Sequence, residues 1–216
     1  MKRYLILTFL ATMLPLATPA QITHSSQGRL DENATLILKK AADRFNQNVS
    51  FQVTMTVTNS QKEVKAKQTA DVRYNRGKYH LILDDQELIC DGTTVWHWNK
   101  AASEVAINTV GDDDIDLLNP GRLLANYSRS FKSKYIRTDD DGTAIIDLQP
   151  RSTQSYHKIR LYIAEEDGLL RRIEVQKYDS SREIYDIANF KRASNAASQF
   201  TFDPQKHPDT EIIDMR

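Results

Sequence analysis

The sequence predicts a mainly β protein with helical segments, in which about eleven antiparallel strands curl into an incomplete barrel. Apolar and polar residues alternate with a period of two in most segments between positions 49 and 204. Asp-Gly pairs, which favour tight turns, separate several of these segments. Because a long flat sheet would leave its apolar face in water, we expect the sheet to curl around that face.

The composition fits a single globular domain and argues against nucleic acid as a partner. The chain has 216 residues, of which 40% are hydrophobic and 27% are charged. Lysine and arginine together number 29, as do aspartate and glutamate, so there is no basic surplus to neutralise phosphates.

Residues 1–20 have the layout of a secretory signal peptide. Two early cations precede an apolar stretch, and small residues end the segment at "TPA". The alternative, an uncleaved membrane anchor, is disfavoured because Pro15 interrupts an apolar run shorter than the roughly 20 residues of a spanning helix. We therefore expect an exported domain over residues 21–216, with 27 cations and 29 anions once Lys2 and Arg3 are removed.

The single cysteine limits how such an exported protein is stabilised. Cys90 alone cannot form an internal disulfide, so stability has to come from burial and strand pairing. No cysteine follows the expected cleavage region, where a lipid anchor would be attached. The sequence therefore predicts a protein that is not tethered to a membrane.

The first element of the mature chain is predicted to be an amphipathic helix over residues 31–45. Leu36, Ile37, Ala41 and Phe45 recur at helical spacing, and polar residues fill the remaining positions. Such an apolar face requires a partner surface.

The strands follow. In residues 49–57, Phe51, Val53 and Met55 share one face and alternate with polar residues, and Leu81 lies on the apolar face of residues 78–85. The other predicted strands cover residues 62–72, 93–99, 103–110, 132–138, 143–149, 156–164, 169–178, 183–191 and the segment "QFTFDP" at 199–204.

Residues 111–131 interrupt the strands. Leucines on both sides of Pro120, including Leu123 and Leu124, predict two short helical pieces that are split at the proline. The acidic residues before them are not a calcium loop of the EF-hand type, which would require glycine at position 117 and glutamate at position 123, where leucine stands.

No catalytic, metal or cofactor motif is found. The five histidines are scattered, with no pair at zinc-ligand spacing. A nucleophile elbow, a phosphate-binding loop and a dinucleotide fingerprint are also absent from the sequence. We expect no metal and no cofactor, and nothing in the sequence argues for an enzyme.

Both tryptophans lie in one predicted strand. Trp96 and Trp98 are two positions apart, so their side chains point to the same face of an extended strand. Three interpretations are open: they line a ligand cavity, they fill the core, or they are exposed for contact with a partner.

Three segments carry a resemblance to a known family. They are "CDGTTVWHWN", a turn followed by an aromatic strand, the leucine-rich "LLNPGRLLANYSRSF", and the ending "FTFDPQKHPDTEIIDMR". In this order they resemble the bacterial periplasmic outer-membrane lipoprotein carriers, the LolA family. The family pattern includes a D-G-x-x-aliphatic-W-x-aromatic-N turn and strand and a terminal F-x-F-x-P, and the match spans nearly the whole mature chain.

The resemblance implies a fold and a function. The fold is an incomplete barrel of about eleven antiparallel strands, with helices as a lid over an apolar cavity that receives lipoprotein acyl chains. The implied role is that of a periplasmic chaperone that carries lipoproteins from the inner to the outer membrane, with no catalysis. The candidate ligand-binding residues are Trp96, Trp98, Phe51, Val53, Met55, Leu81, Leu36, Ile37, Leu123 and Leu124.

The resemblance also implies partners. We expect the carrier to work as a monomer with lipoproteins, with an inner-membrane lipoprotein-releasing transporter and, as a further candidate, with an outer-membrane receptor. In this family an arginine at the end of an early strand latches the lid by donating to helix carbonyls. Arg76 is the favoured equivalent, although Gly77 stands where the family has proline. Arg73 is the alternative latch, and an ordinary solvated cation is the alternative role.

Two other functions remain open at this point. A lipid-sensing or other hydrophobic-ligand module of the same architecture would bind a signalling partner without exchanging cargo. An enzyme acting on lipid or glycan would show turnover that depends on a few polar residues.

Overall fold

A computed structural model gives the fold of residues 26–111 and 119–216, with only the backbone described for residues 26–31. These ranges contain two α-helices and twelve β-strands, which in chain order are α1 (Ser26–Phe45), β1 (Asn48–Thr58), β2 (Val64–Asn75), β3 (Lys78–Leu83), β4 (Gln86–Cys90), β5 (Thr94–Asn99), β6 (Glu104–Thr109), α2 (Pro120–Ser130), β7 (Phe131–Thr138), β8 (Thr143–Pro150), β9 (Tyr156–Ala164), β10 (Leu170–Lys177), β11 (Arg182–Arg192) and β12 (Glu211–Asp214). The expected signal peptide and residues 112–118, which include the first of the two predicted helical pieces, lie outside the described residues.

All twelve strands belong to one sheet, in the order β12-β6-β5-β4-β3-β2-β1-β11-β10-β9-β8-β7. Strands β1 to β6 form one meander and β7 to β11 a second. The two join where β1 pairs antiparallel with β11, with Val53 opposite Ile187. The mainly β, antiparallel architecture is thus confirmed as an open sheet, which does not close into a barrel and ends at β12 and β7.

One face of the sheet, called the inner face below, carries the main hydrophobic core. Phe51 and Val53 of β1 are buried there, and they lie opposite Val72 and Ala70 of β2. Met55 is partly buried and packs against the same core. The alternation predicted for β1 is therefore confirmed, and it directs every second side chain toward the two helices.

Helix α1 covers the inner face, and its buried stripe shares Ala41 and Phe45 with the predicted one. Its buried residues are Ala34, Leu38, Ala41 and Phe45, at the spacing of one helix face. Ile37 packs against the core at the border of this stripe. The placement of Leu36 on the apolar face was wrong: it lies two positions, or about 200°, from Leu38 and is 66% exposed. No helix of the described ranges has the length and apolar character needed to cross a membrane.

Two strand predictions were wrong. Strand β4 was missed because it follows β3 through a two-residue turn at Asp84 and Asp85, with no glycine to mark it; Asp84 adopts a positive φ of 42°. The predicted strand at 199–204 does not form. Short 3-10 turns at Ala197–Phe200 and Pro204–Lys206 occupy this region, since proline cannot donate to a strand ladder and Asp203 instead caps a turn at Gln205.

The end of the chain forms the twelfth strand. β12 pairs in parallel with β6, with Ile212 opposite Val105, and it becomes an edge of the sheet. The segment between β11 and β12 crosses the outer face, opposite the helices, where Phe202 is buried with Ile89 and Val105 in a second hydrophobic cluster.

Candidate functional site

The space between the inner face and the two helices is the candidate ligand site. Seven of the ten predicted ligand-binding residues belong to the main core or pack directly against it: Phe51, Val53, Leu81, Leu123 and Leu124 are buried, and Ile37 and Met55 are partly buried. They come from both helices and from strands β1 and β3. The fold therefore brings together residues that are more than eighty positions apart in sequence.

An apolar pocket marks the centre of this space. It lies between β1, β2, β3, β10, β11 and the first residue of α2, and it is lined by Phe51, Val53, Val72, Leu81, Pro120, Ile173, Tyr185 and Ile187. Its cavity volume is about 10 Å³, which is about the space that one water molecule needs. An acyl chain can enter only if the helices or the lining side chains move outward.

Helix α2 is attached to the β2–β3 turn by a buried polar network. The Tyr74 hydroxyl donates to Asn119 Oδ1 (2.9 Å) and accepts from the Gly77 amide (2.9 Å). The Asn119 side-chain amide donates to the Gly77 carbonyl (3.0 Å), and Asn119 Oδ1 caps the helix by accepting from the Arg122 amide (3.0 Å). These bonds fix the beginning of α2 to the sheet.

Gly121 makes this attachment close. A Cβ atom at position 121 would lie 2.1 Å from the Tyr74 hydroxyl and 2.8 Å from Cβ of Phe45. Only glycine lets the first turn of α2 approach β2 and the end of α1 so closely.

Helix α1 is attached at its C-terminal half to the β9–β10 turn. The Lys40 ammonium donates to the backbone carbonyls of Glu165 (2.6 Å) and Glu166, and the Arg44 guanidinium donates to the carbonyl of Asp167. Gly168, with a φ of +71°, lies beneath Lys40. Both helices are thus held to the sheet by polar contacts with turns, while their apolar faces cover the core.

Arg76 connects the β2–β3 turn to the end of α1. It occupies the β2–β3 turn with a positive φ of 51°, and its Nε donates to the carbonyl of Asn46 (3.2 Å), directly after the end of α1. Arg73 is placed differently: it lies opposite His80 in the β2–β3 ladder. Of the two candidate latch arginines, Arg76 is the one with this contact to the end of a helix, and its latch role remains a prediction.

The tryptophans lie in the outer cluster. Both pack against Ile89, Val105 and Phe202, whereas their strand neighbour Val95 packs against the main core on the other face. The Trp98 ring is 5.6 Å from that of Phe202 and 4.2 Å from that of His207. The alternation had predicted that they share a face, but it could not say which; a role in ligand binding stays a prediction.

No metal centre is evident in the part of the chain that the structure describes, where no three His, Cys, Asp or Glu side chains are grouped as ligands. Asp112, Asp114 and Asp116 fall outside it. Cys90 is a buried thiol that accepts from the Gly92 amide, on the core side of β4.

Sequence reasoning missed the residues that hold the helices. Asn119 before Pro120 is a recognisable helix-start signal, since asparagine caps and proline favours the first helical turn. Its bond to Tyr74, 45 positions earlier, has no sequence signal. In the sequence, Lys40 and Arg44 resemble ordinary solvated helix cations. Only the fold shows that the β9–β10 turn lies beneath them.

The family model of the outer membrane lipoprotein carrier protein LolA matches residues 38–203, well over half of the chain. The chain belongs to the LolA family. The match begins at Leu38 in α1 and ends at Asp203, before β12. It therefore includes the sheet from β1 to β11, helix α2 and all the attachments described above.

Relatives of the LolA family match at modest identity. An outer-membrane lipoprotein carrier protein of Pectobacterium carotovorum subsp. carotovorum is 26% identical over 209 residues, which cover 95% of this chain and 96% of that protein. One from Shewanella woodyi is 30% identical over 152 residues, 68% of this chain and 66% of that protein. Among solved structures, a protein from Thermus thermophilus has a TM-score of 0.56 at 12% identity, covering 84% of this chain and 99% of that one, and shows a shared fold.

Membership of the LolA family indicates the general kind of function that this chain has. It supports a role as a lipoprotein carrier or as a LolA-like module that binds hydrophobic ligands. The family is one of carriers rather than enzymes. The apolar core lies beneath two helices that polar side chains attach to turns of the sheet. It is the candidate site for such a ligand.

Proposed function

We propose that this protein carries lipoproteins across the periplasm by holding their acyl chains between the inner face of the sheet and the helices α1 and α2. The observation that carries the proposal is the pocket beneath Pro120, which is lined by aliphatic and aromatic residues and lies under a helix attached by hydrogen bonds at its first turn. A ligand site of this kind needs no cofactor and no catalytic group.

The physical need for such a carrier is clear. Burial of an acyl chain is favourable by about 0.8 kcal/mol per CH₂ group, so a lipoprotein cannot cross an aqueous compartment with its chains exposed. The affinity for cargo must nevertheless be low enough to allow its release. A pocket that is nearly filled at rest stabilises the unliganded state, and opening it lowers the net affinity for cargo. The nearly filled pocket therefore favours a carrier that gives its cargo up.

The attachments of the helices suggest how the pocket opens. Hydrogen bonds from Arg76 to Asn46 and from Tyr74 to Asn119 join the helix ends to the β2–β3 turn. Outward movement of a helix breaks a small number of such bonds, each worth about 0.5 to 1.5 kcal/mol net. Entry of one acyl chain compensates for that loss. In this mechanism Arg76 acts as the latch, and Phe51, Val53 and Leu81 form part of the floor of the site.

The remaining parts of the proposal concern the cell. Residues 1–20 direct export and are removed, leaving a monomeric domain over residues 21–216 in the periplasm. An inner-membrane lipoprotein-releasing transporter loads the carrier, and an outer-membrane receptor unloads it. The names of the relatives, which are outer-membrane lipoprotein carriers, support the cargo class.

Purification of the protein from the periplasm of a Gram-negative host tests this proposal. The full chain is expressed with its leader, and mass spectrometry identifies the mature N-terminus and the molecules that co-purify. We expect lipoproteins, in amounts that fall when a charge replaces Ile37. Transfer of these lipoproteins to fresh outer membranes separates a carrier from a lipid-sensing module, which would retain its ligand. Absence of any bound lipoprotein or lipid would contradict the proposal.

A further inference from the structure

Burial on the inner face of the sheet decreases toward the β12 edge. Leu81 of β3 is buried, Leu88 of β4 packs against the main core but is only partly buried, and His97 of β5 is exposed. Ile213 of β12 is 40% exposed. In the described part of the chain, the inner face over β4, β5, β6 and β12 is therefore accessible without any movement of the helices.

The register of the strands connects this accessible part to the apolar pocket. Leu81, which lines the pocket, lies opposite Leu88, and Leu88 lies opposite His97. His97 lies opposite Ala106, and Ala106 lies opposite Ile213. Residues paired across neighbouring strands point to the same face, with Cβ atoms about 4.5 to 5.5 Å apart. These five side chains therefore form one continuous line from the pocket to the edge of the sheet, called the inner row below.

Ile212 and Ile213 show which face the end of the inner row occupies. Ile212 lies opposite Val105, a member of the outer cluster, so its side chain points to the outer face. Ile213, the next residue, points to the inner face. The two side chains are exposed to a similar extent, 48% and 40%. They differ mainly in the face that they occupy, and so they form a matched pair for a test.

The length and polarity of the inner row fit a hydrocarbon chain. From Leu81 to Ile213 it crosses four strand spacings, or roughly 19 Å at about 4.8 Å each. One membrane acyl chain is about 15 Å long, half the hydrocarbon thickness of a bilayer. Four of the five side chains are aliphatic. His97 is the polar member, and its Nε2 lies 3.1 Å from Oε1 of Gln86.

We propose that the inner row is a second acyl-chain subsite, which holds one chain of the cargo while another chain occupies the pocket. This proposal rests on the proposed carrier function. The pocket, at about 10 Å³, has to open before it admits a chain, whereas a chain can lie on the inner row while the helices stay in place. His97 lowers the affinity of the subsite, because an acyl chain above it removes water from the imidazole.

The test compares two lipopeptides of the same sequence, one with two palmitoyl chains and one with a single palmitoyl chain. Binding to the full mature chain is measured by titration calorimetry. Ile213→Asp should weaken binding of the two-chain lipopeptide by roughly 3- to 10-fold, since less apolar surface is buried, and should affect the one-chain lipopeptide less. Ile212→Asp, on the outer face of the same strand, should change neither affinity. Circular dichroism checks that both variants are folded.

A substitution in another strand keeps the test independent of how well β12 tolerates a charge. His97→Leu should tighten binding of the two-chain lipopeptide by roughly 3- to 10-fold, because the inner row becomes aliphatic throughout. The subsite is overturned if Ile213→Asp and Ile212→Asp have equal effects, or if His97→Leu does not tighten binding. It is also overturned if Ile213→Asp changes only the sedimentation of the protein, since a second copy would then cover the row. Failure of the unaltered protein to bind either lipopeptide would instead contradict the carrier function itself.

Discussion

The Tyr74 hydroxyl donates a 2.9 Å hydrogen bond to Asn119 Oδ1, and both residues are almost completely buried. The bond joins the end of β2 to the residue that caps α2. Since the same hydroxyl also accepts from the Gly77 amide, one side chain holds together the β2–β3 turn and the beginning of a helix.

Replacement of Tyr74 by Phe should therefore destabilise the protein. The Gly77 amide and Asn119 Oδ1 each lose a buried partner, and the expected loss is about 1 to 3 kcal/mol of unfolding free energy. Urea unfolding measures the loss. Tyr178→Phe, at a side chain that is 68% exposed, is the matched control and should change little. Equal stability of the two variants would show that the network does not hold α2.

Arg76→Met tests the latch. Loss of the bond to Asn46 should favour the open form, so a hydrophobic fluorescent probe or a lipopeptide should bind more tightly, by roughly 2- to 10-fold. Binding titrations provide the measurement. Arg73→Met removes a cation from the adjoining strand β2, at a position opposite His80 rather than at the end of α1, and should leave affinity unchanged. A change that is the same in both variants would indicate a general charge effect.

Substitutions in α1 test whether this helix covers the ligand. Ile37→Glu places a charge beside the core and should weaken cargo binding severely, because the carboxylate would be desolvated. Lys39→Glu, on the exposed side, should have little effect. Lys40 is the next residue of the helix, but its bonds to the carbonyls of Glu165 and Glu166 predict a loss of stability for Lys40→Glu. Lipopeptide titrations detect the loss of cargo affinity, and circular dichroism detects the loss of stability.

The tryptophans provide a spectroscopic test of where ligand enters. Because Trp96 and Trp98 pack in the outer cluster, ligand in the inner site should leave their emission nearly constant. Trp98→Ala should lower stability by about 3 kcal/mol, as expected for a large side chain removed from a packed cluster. Fluorescence of the single variants Trp96→Phe and Trp98→Phe during lipopeptide titration gives the answer. A saturable shift from either residue would restore the interpretation that it lines the cargo site.

His80 should make stability depend on pH. Burial lowers the pKa of His80 in the folded protein, so the unfolded chain binds a proton more readily, and stability falls as pH drops below the unfolded pKa of about 6.5. Arg73 and Lys100 add to this shift, and Glu87 opposes it. The urea midpoint should therefore decrease between about pH 7.5 and about pH 5.5. His80→Gln should show a smaller decrease than the parent protein, and an identical decrease would remove His80 as the cause.

The sequence predicted most of the period-two strands and the presence of α1 and α2, because local patterns determine them. Alternation placed Phe51 and Val53 on the core face without any knowledge of the fold. It could not tell Leu36 from Leu38 in α1, since two adjacent apolar stripes fit the same segment and only packing against the sheet selects one. The face taken by Trp96 and Trp98 likewise depends on Phe202, a residue that reaches them through tertiary structure.

The pairing of β1 with β11 determines when folding can be completed. Asn48 and Asn195, 147 positions apart, are joined by side-chain hydrogen bonds at one end of this ladder. Closing so long a loop is slow, and the contacts that reward it form late. One edge of β1 therefore stays unpaired until β11 is available. A chain that emerges N-terminus first cannot complete its core until nearly all of it has been synthesised.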